Sequence, residues 1–279
     1  MNSLQLLGCD KKYDEADIVV FGAPYDGTTS FKPGTRFAPN AIRLDSDAIE
    51  TYSPYQDKDL EDMKITDIGD IELSYGEKKQ VLDEIYTATK NILNDKKIPF
   101  MIGGEHLVTY PAFKAVFEKY PECQVIHFDA HTDLRQEFSG GIFSHASVIK
   151  RVHDLIGDNK IYQFGIRSGL KEEFEFAQEH NYIEKFSANS INNIIPSLQN
   201  KPLYITIDLD VLDPSIMPGT GTPEAGGLTF KELHDAILSL KGLNIVGADV
   251  VELSPEHDPS KSSNLVATKV IRELLMIIK

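Results

Sequence analysis

The 279-residue chain carries 43 acidic against 28 basic side chains, a formal charge of −15, with 41% apolar and 25% charged residues. That balance excludes a nucleic-acid binder, which needs a basic face to neutralise phosphate. It suits a globular α/β protein of one large domain or two modest ones, and no window approaches the ~20 apolar residues of a membrane span.

The opening MNSLQLLGCDKKYDEAD lacks the basic and long apolar regions of a signal peptide. Cys9 and Cys123 form no CxxC pair, so a reducing, cytoplasmic setting is expected. DIVVFGAP (17–24) reads as a strand that ends in a Gly/Pro turn, followed by a long non-periodic stretch over 21–40. A helix is predicted over 77–96, where Val81, Leu82, Ile85, Ala88, Ile92 and Leu93 make one apolar stripe. IPFMIGG (98–104), QVIHFDA (124–130), KIYQFGI (160–166), PLYITID (202–208) and NIVGADVVEL (244–253) complete the strands. Helices over 107–120, 144–156, 170–180, 229–240 and 265–278 lie between or after them. Strands apolar on both faces and separated by helices predict a three-layer α/β/α fold with a mainly parallel central sheet. With no repeat or flexible linker, residues 1–279 are expected to form a single domain.

Polar residues emerge where several strands end. MIGGEH supplies His106; HFDAHTD supplies Asp129, His131 and Asp133; YITIDLDVLD supplies Asp208 and Asp210, then Asp213. The alternation of Asp129, His131 and Asp133 lets all three point one way on an extended chain. The carboxyl edge of a parallel sheet is where ligands bind. Alone, a DxHxD is a solvated loop and a DxD is commonplace; together with GGEH they predict a dinuclear metal site. Two divalent cations cancel four carboxylates, whereas one leaves an uncompensated pair in a partly buried crevice. Six side chains serve two ions only if carboxylates bridge, which brings the metals to roughly 3.5–4 Å. Oxygen-rich ligation with some imidazole suits Mn²⁺ better than structural zinc.

GGEH (103–106), DAHTD (129–133) and TIDLDVLDPSIMPGTGTPEAGG (206–227), with PGTRFAPNAIR (33–43) and GADVVELSPEHD (247–258), resemble the manganese-dependent ureohydrolases, the family of arginases and agmatinases. Thr206 stands where the family usually has Ser, and Leu107 where a Ser usually follows the GGEH-type His. The resemblance implies an arginase/deacetylase-like fold and two Mn²⁺ per chain. One ion would be held by His106, Asp129, Asp133 and Asp208, and the other by Asp129, His131, Asp208 and Asp210. It further implies attack of a metal-bridging hydroxide, oriented by Asp133, on a guanidinium carbon that Glu252 binds. His145, in FSHAS, matches the family's histidine near the substrate. Asp213 and Asp249 are read as structural, and His127 as a hydrogen-bonded core histidine.

Arginases grip an amino-acid head with an Asn two residues beyond DAHTD and a nearby Ser; here Arg135 and SGGIFSHAS stand there. DLRxEFxGxxFSHAS is similar to the agmatinase branch, which implies hydrolysis of agmatine to urea and putrescine, a step in polyamine biosynthesis. Arg135 either turns away from that dicationic substrate or meets a carboxylate tail, which leaves 4-guanidinobutanoate and arginine as alternatives. A catalytically silent metal-binding relative and a single-ion deacylase are the competing readings from other classes. The resemblance implies a small guanidino cation as substrate and a homo-oligomer, trimer or hexamer, and no nucleic-acid or membrane partner is expected.

Overall fold

The expected strands pair into one sheet. The computed structural model describes residues 4–278. Its sheet runs β4 (Ile65–Asp70), β1 (Ile18–Ala23), β5 (Ile98–Gly103), β10 (Asn244–Val251), β9 (Pro202–Asp208), β6 (Gln124–Phe128), β7 (Ile161–Ile166) and β8 (Tyr182–Lys185). Every pairing in it is parallel. A two-stranded antiparallel ribbon, β2 (Tyr52–Ser53) with β3 (Lys58–Asp59), stands apart.

Alternate residues of the strands feed two helical layers. Ile18, Val20, Phe100, Ile102, Ile205 and Ile207 pack with Ile42, Ile194, Leu233 and Ile271. Those partners lie on α1 (Ala38–Asp45), α6 (Ile191–Leu198), α7 (Phe230–Ser239) and α8 (Ser262–Ile277). On the other face, Val19, Phe21 and Met101 meet Val81, Ile85 and Ala112, while Val125 and Tyr204 meet Val116, Val152 and Ala177. These belong to α2 (Lys78–Asn94), α3 (Thr109–Lys119), α4 (Val148–Ile156) and α5 (Lys171–His180). Burying each such aliphatic or aromatic side chain contributes about 1.5–3 kcal/mol, so period two along the strands is what fixes the three layers. On α2 the buried stripe takes in Thr89 rather than Ala88.

β5, β10, β9 and β6 are neighbours at the middle of the sheet. The register sets Ile102 beside Val250, Val251 beside Asp208, and Ile207 beside Phe128, so all four end at one level. The chain passes from β5 to β6 across two intervening strands. This is the kind of topological switch that opens a crevice at the carboxyl edge.

Candidate metal centre

The two glycines of GGEH exist for close approach. A Cβ on Gly104 would lie 2.0 Å from the Tyr25 carbonyl oxygen, and one on Gly103 would lie 2.5 Å from Val251 Cγ1. Their absence lets the backbone lock: Glu105 N donates to Tyr25 O at 2.8 Å, and Glu252 N donates to Gly104 O at 2.9 Å. His106 N then donates to Glu252 Oε1 at 2.7 Å.

The six residues singled out around the crevice converge. His106 Nδ1 lies 3.1 Å from Asp129 Oδ2, 3.1 Å from Asp133 Oδ2 and 3.3 Å from Asp208 Oδ2. His131 Nδ1 lies 3.0 Å from Asp210 Oδ2 and 3.4 Å from Asp129 Oδ1. Asp129 therefore faces both imidazoles. The route to this geometry differs from simple strand alternation. β6 stops at Phe128, His131 makes an isolated bridge to Ser168, and Asp133 has φ 53°, so a turn rather than an extended strand aims the three side chains. Asp208 closes β9, and Asp210 sits in the 3-10 turn Leu209–Val211, where its N–H donates to Asp208 Oδ1 at 2.8 Å.

The crevice calls for positive charge. Burial raises the carboxyl of Asp133 to about 7, with help from the Asp129 charge. Asp208 and Glu252 are pushed well above the usual range by burial first and neighbouring carboxylates next. Burial opposes a charge on His106 and His131, yet the surrounding carboxylates hold both well above an ordinary histidine. Asp129, also penalised by burial, is drawn well below its usual value by His127 and the flanking imidazoles. His106 Nδ1 is buried and has no hydrogen-bond partner, although three carboxylate oxygens surround it. An imidazole lone pair facing carboxylates is repulsive unless a proton or a cation lies between them. The donor set fits divalent metal ions.

Buried polar side chains back the cage. Thr206 Oγ1 donates to Asp249 Oδ1 at 2.6 Å and lies 3.0 Å from His106 Nε2. Because Thr206 donates to Asp249, His106 Nε2 must donate to Thr206, which leaves Nδ1 as the nitrogen turned to the crevice. Tyr204 OH donates to Asp249 Oδ2 at 2.6 Å. His127 is a hydrogen-bonded core histidine as expected, but it also reaches the cage: Nε2 donates to Asp129 Oδ2 at 2.8 Å while Nδ1 accepts from Gln163 Nε2 at 3.1 Å. Asp213 accepts from Ser215 N, Gly226 N and Gly227 N, a loop staple outside the cage.

A cavity of about 240 Å³ opens over the centre, with His131, Asp133, Arg135, Phe138, His145 and Glu173 in its wall. Glu252 lies deeper, 4% exposed beside His106, and is not part of that wall. Burial, then the charges of His131 and His106, lowers His145 to about 4; its ring Nε2 has no partner, and its backbone N–H donates to Thr28 Oγ1 at 3.0 Å. Thr28 Oγ1 in turn donates to Glu105 Oε1 at 2.6 Å. Glu105 and Thr28 were invisible as a pair in the sequence, the only signal being an acid inside GGEH. Arg135 turns to the wall, its Nε 3.6 Å from Glu173 Oε2 and its guanidinium stacked 4.8 Å over Phe138.

The family model described as the Arginase family matches residues 16–277. The agmatinase of Bacillus anthracis is 47% identical over 268 residues, covering 95% of this chain and 92% of that one. A crystal structure from Clostridium difficile superposes with a TM-score of 0.94 at 55% identity, covering 96% and 98% of the two chains. The agmatine ureohydrolase of Thermoplasma volcanium superposes with a TM-score of 0.90 at 32% identity, covering 99% and 94%.

Proposed function

The chain belongs to the arginase family, and from that premise we propose that it is an agmatinase, hydrolysing agmatine to urea and putrescine at two Mn²⁺ ions. The observation that carries the metal centre is the buried, unpartnered His106 Nδ1 among the oxygens of Asp129, Asp133 and Asp208. His106, Asp129, Asp133 and Asp208 would hold one ion, and Asp129, His131, Asp208 and Asp210 the other. Divalent cations held by these residues would lower the pKa of water toward neutrality and offset the negative charge that develops during attack.

The chain's own groups do the rest. Glu252, whose Oε1 is fixed by the backbone N–H of His106, would accept hydrogen bonds from the guanidinium. Asp133, the cage carboxylate on the cavity wall, would accept a hydrogen bond from the attacking hydroxide, orient it, and take up its remaining proton as the tetrahedral carbon collapses to urea. Collapse breaks the carbon–nitrogen bond, and the proton passes to the leaving amine. His145 is neutral at working pH and stands by the same cavity as a hydrogen-bonding partner for that transfer. Arg135 is engaged by Glu173 and Phe138, which favours an amine tail over a carboxylate one. The curated relative named agmatinase, alike over nearly its whole length, supports the same substrate. In this reading the chain is one catalytic domain that assembles as a trimer or hexamer in the cytoplasm.

Urea release by Mn²⁺-loaded protein, with agmatine, arginine and 4-guanidinobutanoate offered in parallel, tests the assignment. A strong preference for agmatine is expected. Preference for the guanidino acid recasts Arg135 as a carboxylate clamp, and no urea from any of them with two ions bound overturns the substrate class.

A further inference from the structure

We propose that His153, Asp158 and His180 form an additional divalent-metal site, separate from the carboxylate cage, that takes a zinc-like ion and clips α4 to α5. His153 lies in the last turn of α4, Asp158 in the loop beyond it, and His180 is the last residue of α5. His153 Nε2 is 2.9 Å and His180 Nδ1 is 3.0 Å from the same oxygen, Asp158 Oδ1. One ligand atom from each residue lies within 4.8 Å of the others. Adjacent ligand atoms around an ion with bonds of ~2.0–2.1 Å are ~2.9–3.4 Å apart, so little movement would admit the metal. Two imidazoles and one carboxylate, with water completing the shell, select Zn²⁺, Ni²⁺ or Co²⁺ over Mg²⁺ or Ca²⁺.

The site is built rather than accidental. Gly157 N donates to His153 O at 2.8 Å and Asn159 N donates to His180 O at 2.7 Å, so the loop is bonded to both histidines' backbones. Gly157 at φ 76° and Asn159 at φ 59° supply the left-handed turns that bring Asp158 round. Phe176 packs against both rings, with centroids 4.8 Å from His153 and 4.3 Å from His180. Glu179 Oε2 lies 3.8 Å from His180 Nε2, beyond hydrogen-bond reach, so it adds only negative charge on the side of that ring away from Asp158. The Asp158 side chain is 53% exposed, which leaves room for water on an incoming ion.

Position gives the site its purpose. The opposite ends of the same two helices hold the 129–135 loop: Lys150 N donates to Asp133 O at 3.0 Å, and Glu173 Oε1 accepts from Thr132 Oγ1 at 2.8 Å and Leu134 N at 3.0 Å. An ion at the far ends would brace both supports of that loop without touching substrate.

The test is a metal count on folded protein. Mn²⁺-saturated wild type, Asp158→Asn and His180→Ala are dialysed against graded Zn²⁺, and total bound metal is read by elemental analysis, with circular dichroism verifying the fold. The expected result is one more metal equivalent per chain in wild type than in either variant, at micromolar Zn²⁺, with urea release from agmatine by the Mn²⁺-loaded variants unchanged. Asp158→Asn keeps the size and turn-forming ability of the side chain, so the comparison survives if His180→Ala unfolds. Equal metal counts in wild type and Asp158→Asn, or an extra equivalent only at millimolar Zn²⁺, would reduce the triad to a hydrogen-bonded His–Asp–His cluster and overturn the proposal.

Discussion

Thr206→Val isolates the backing of the cage from the cage itself. The substitution is nearly isosteric and removes one hydroxyl, which both receives the His106 Nε2 proton at 3.0 Å and donates to Asp249 at 2.6 Å. His106 and Asp249 are 1% and 0% exposed, so water cannot replace the lost partner. Leaving a buried polar group unsatisfied costs about 1–3 kcal/mol, and losing the group that orients a metal-bound histidine typically weakens metal binding about 10–100-fold. Those figures agree, since tenfold in affinity is about 1.4 kcal/mol. Chelator competition should therefore show Mn²⁺ bound about 10–100-fold more weakly in the variant. Metal-free protein should also unfold at lower temperature, because buried Asp249 loses the Thr206 hydrogen bond while keeping that from Tyr204. Thr206→Ser should behave as wild type, since it restores the hydroxyl. If Thr206→Val binds metal as tightly as wild type and melts at the same temperature, the Asp249–Thr206–His106 chain does not position the ligand.

Asp129→Asn should reduce activity by about 100-fold or more by removing the charge that faces both imidazoles, and wild-type turnover would refute its place as a shared ligand. Glu252→Gln keeps an oxygen for the His106 N–H, so metal content should hold while kcat/KM for agmatine falls about 10–100-fold; unchanged kinetics would reduce Glu252 to scaffold. His145 is held at about 4 in the folded protein against 6.5 ordinarily, so the unfolded chain binds that proton more readily. Its contribution is fully present above pH 6.5 and is lost as pH falls towards 4, amounting to about 3 kcal/mol at most. Chemical unfolding of wild type and His145→Asn from pH 7 to 4 should show wild type losing stability faster, and parallel curves would contradict it. Exhaustive chelation should abolish urea release and Mn²⁺ should restore it with two ions per chain; full activity at one ion would sink the bridged scheme.

The parts of the fold legible in the sequence are those whose residues are buried on both faces. β1 and β6 are buried throughout, and a continuous apolar run announces such strands. The two sheet edges escape that signal. β4 carries Thr66 and Asp67 among its apolar residues because Asp67 pairs with the buried Arg43 of α1. β8 is only partly buried along its length, so YIEK reads like a helix end. α6 hides behind Pro196, which ordinarily argues against a helix. α1 begins at the end of a Gly/Pro-rich stretch whose lack of periodicity masks it.

The proposed cage ligands were legible for a chemical reason and their supports were not, for a topological one. Carboxylates and imidazoles clustered within five residues, or at two successive strand ends, repel one another without a cation, so their local density is itself the signal. Backing residues carry no such density. Glu105 meets Thr28 across 77 positions, Thr206 meets Asp249 across 43, and Gln163 meets His127 across 36. Each is an ordinary residue in its own segment, and only strand order makes it a partner. Thr206 on β9 lies between Asp249 on β10 and His127 on β6 in the register, so the sheet delivers these groups side by side beneath the ligands. The same distinction explains why strand alternation pointed to aspartates that do converge, but for an incomplete reason. Asp129 leaves the sheet at its edge, while Asp133 reaches the cage only through a left-handed turn that two helices hold from outside. Ligand chemistry is therefore written locally, whereas the rigidity that makes it a centre is written in the pairing of distant strands.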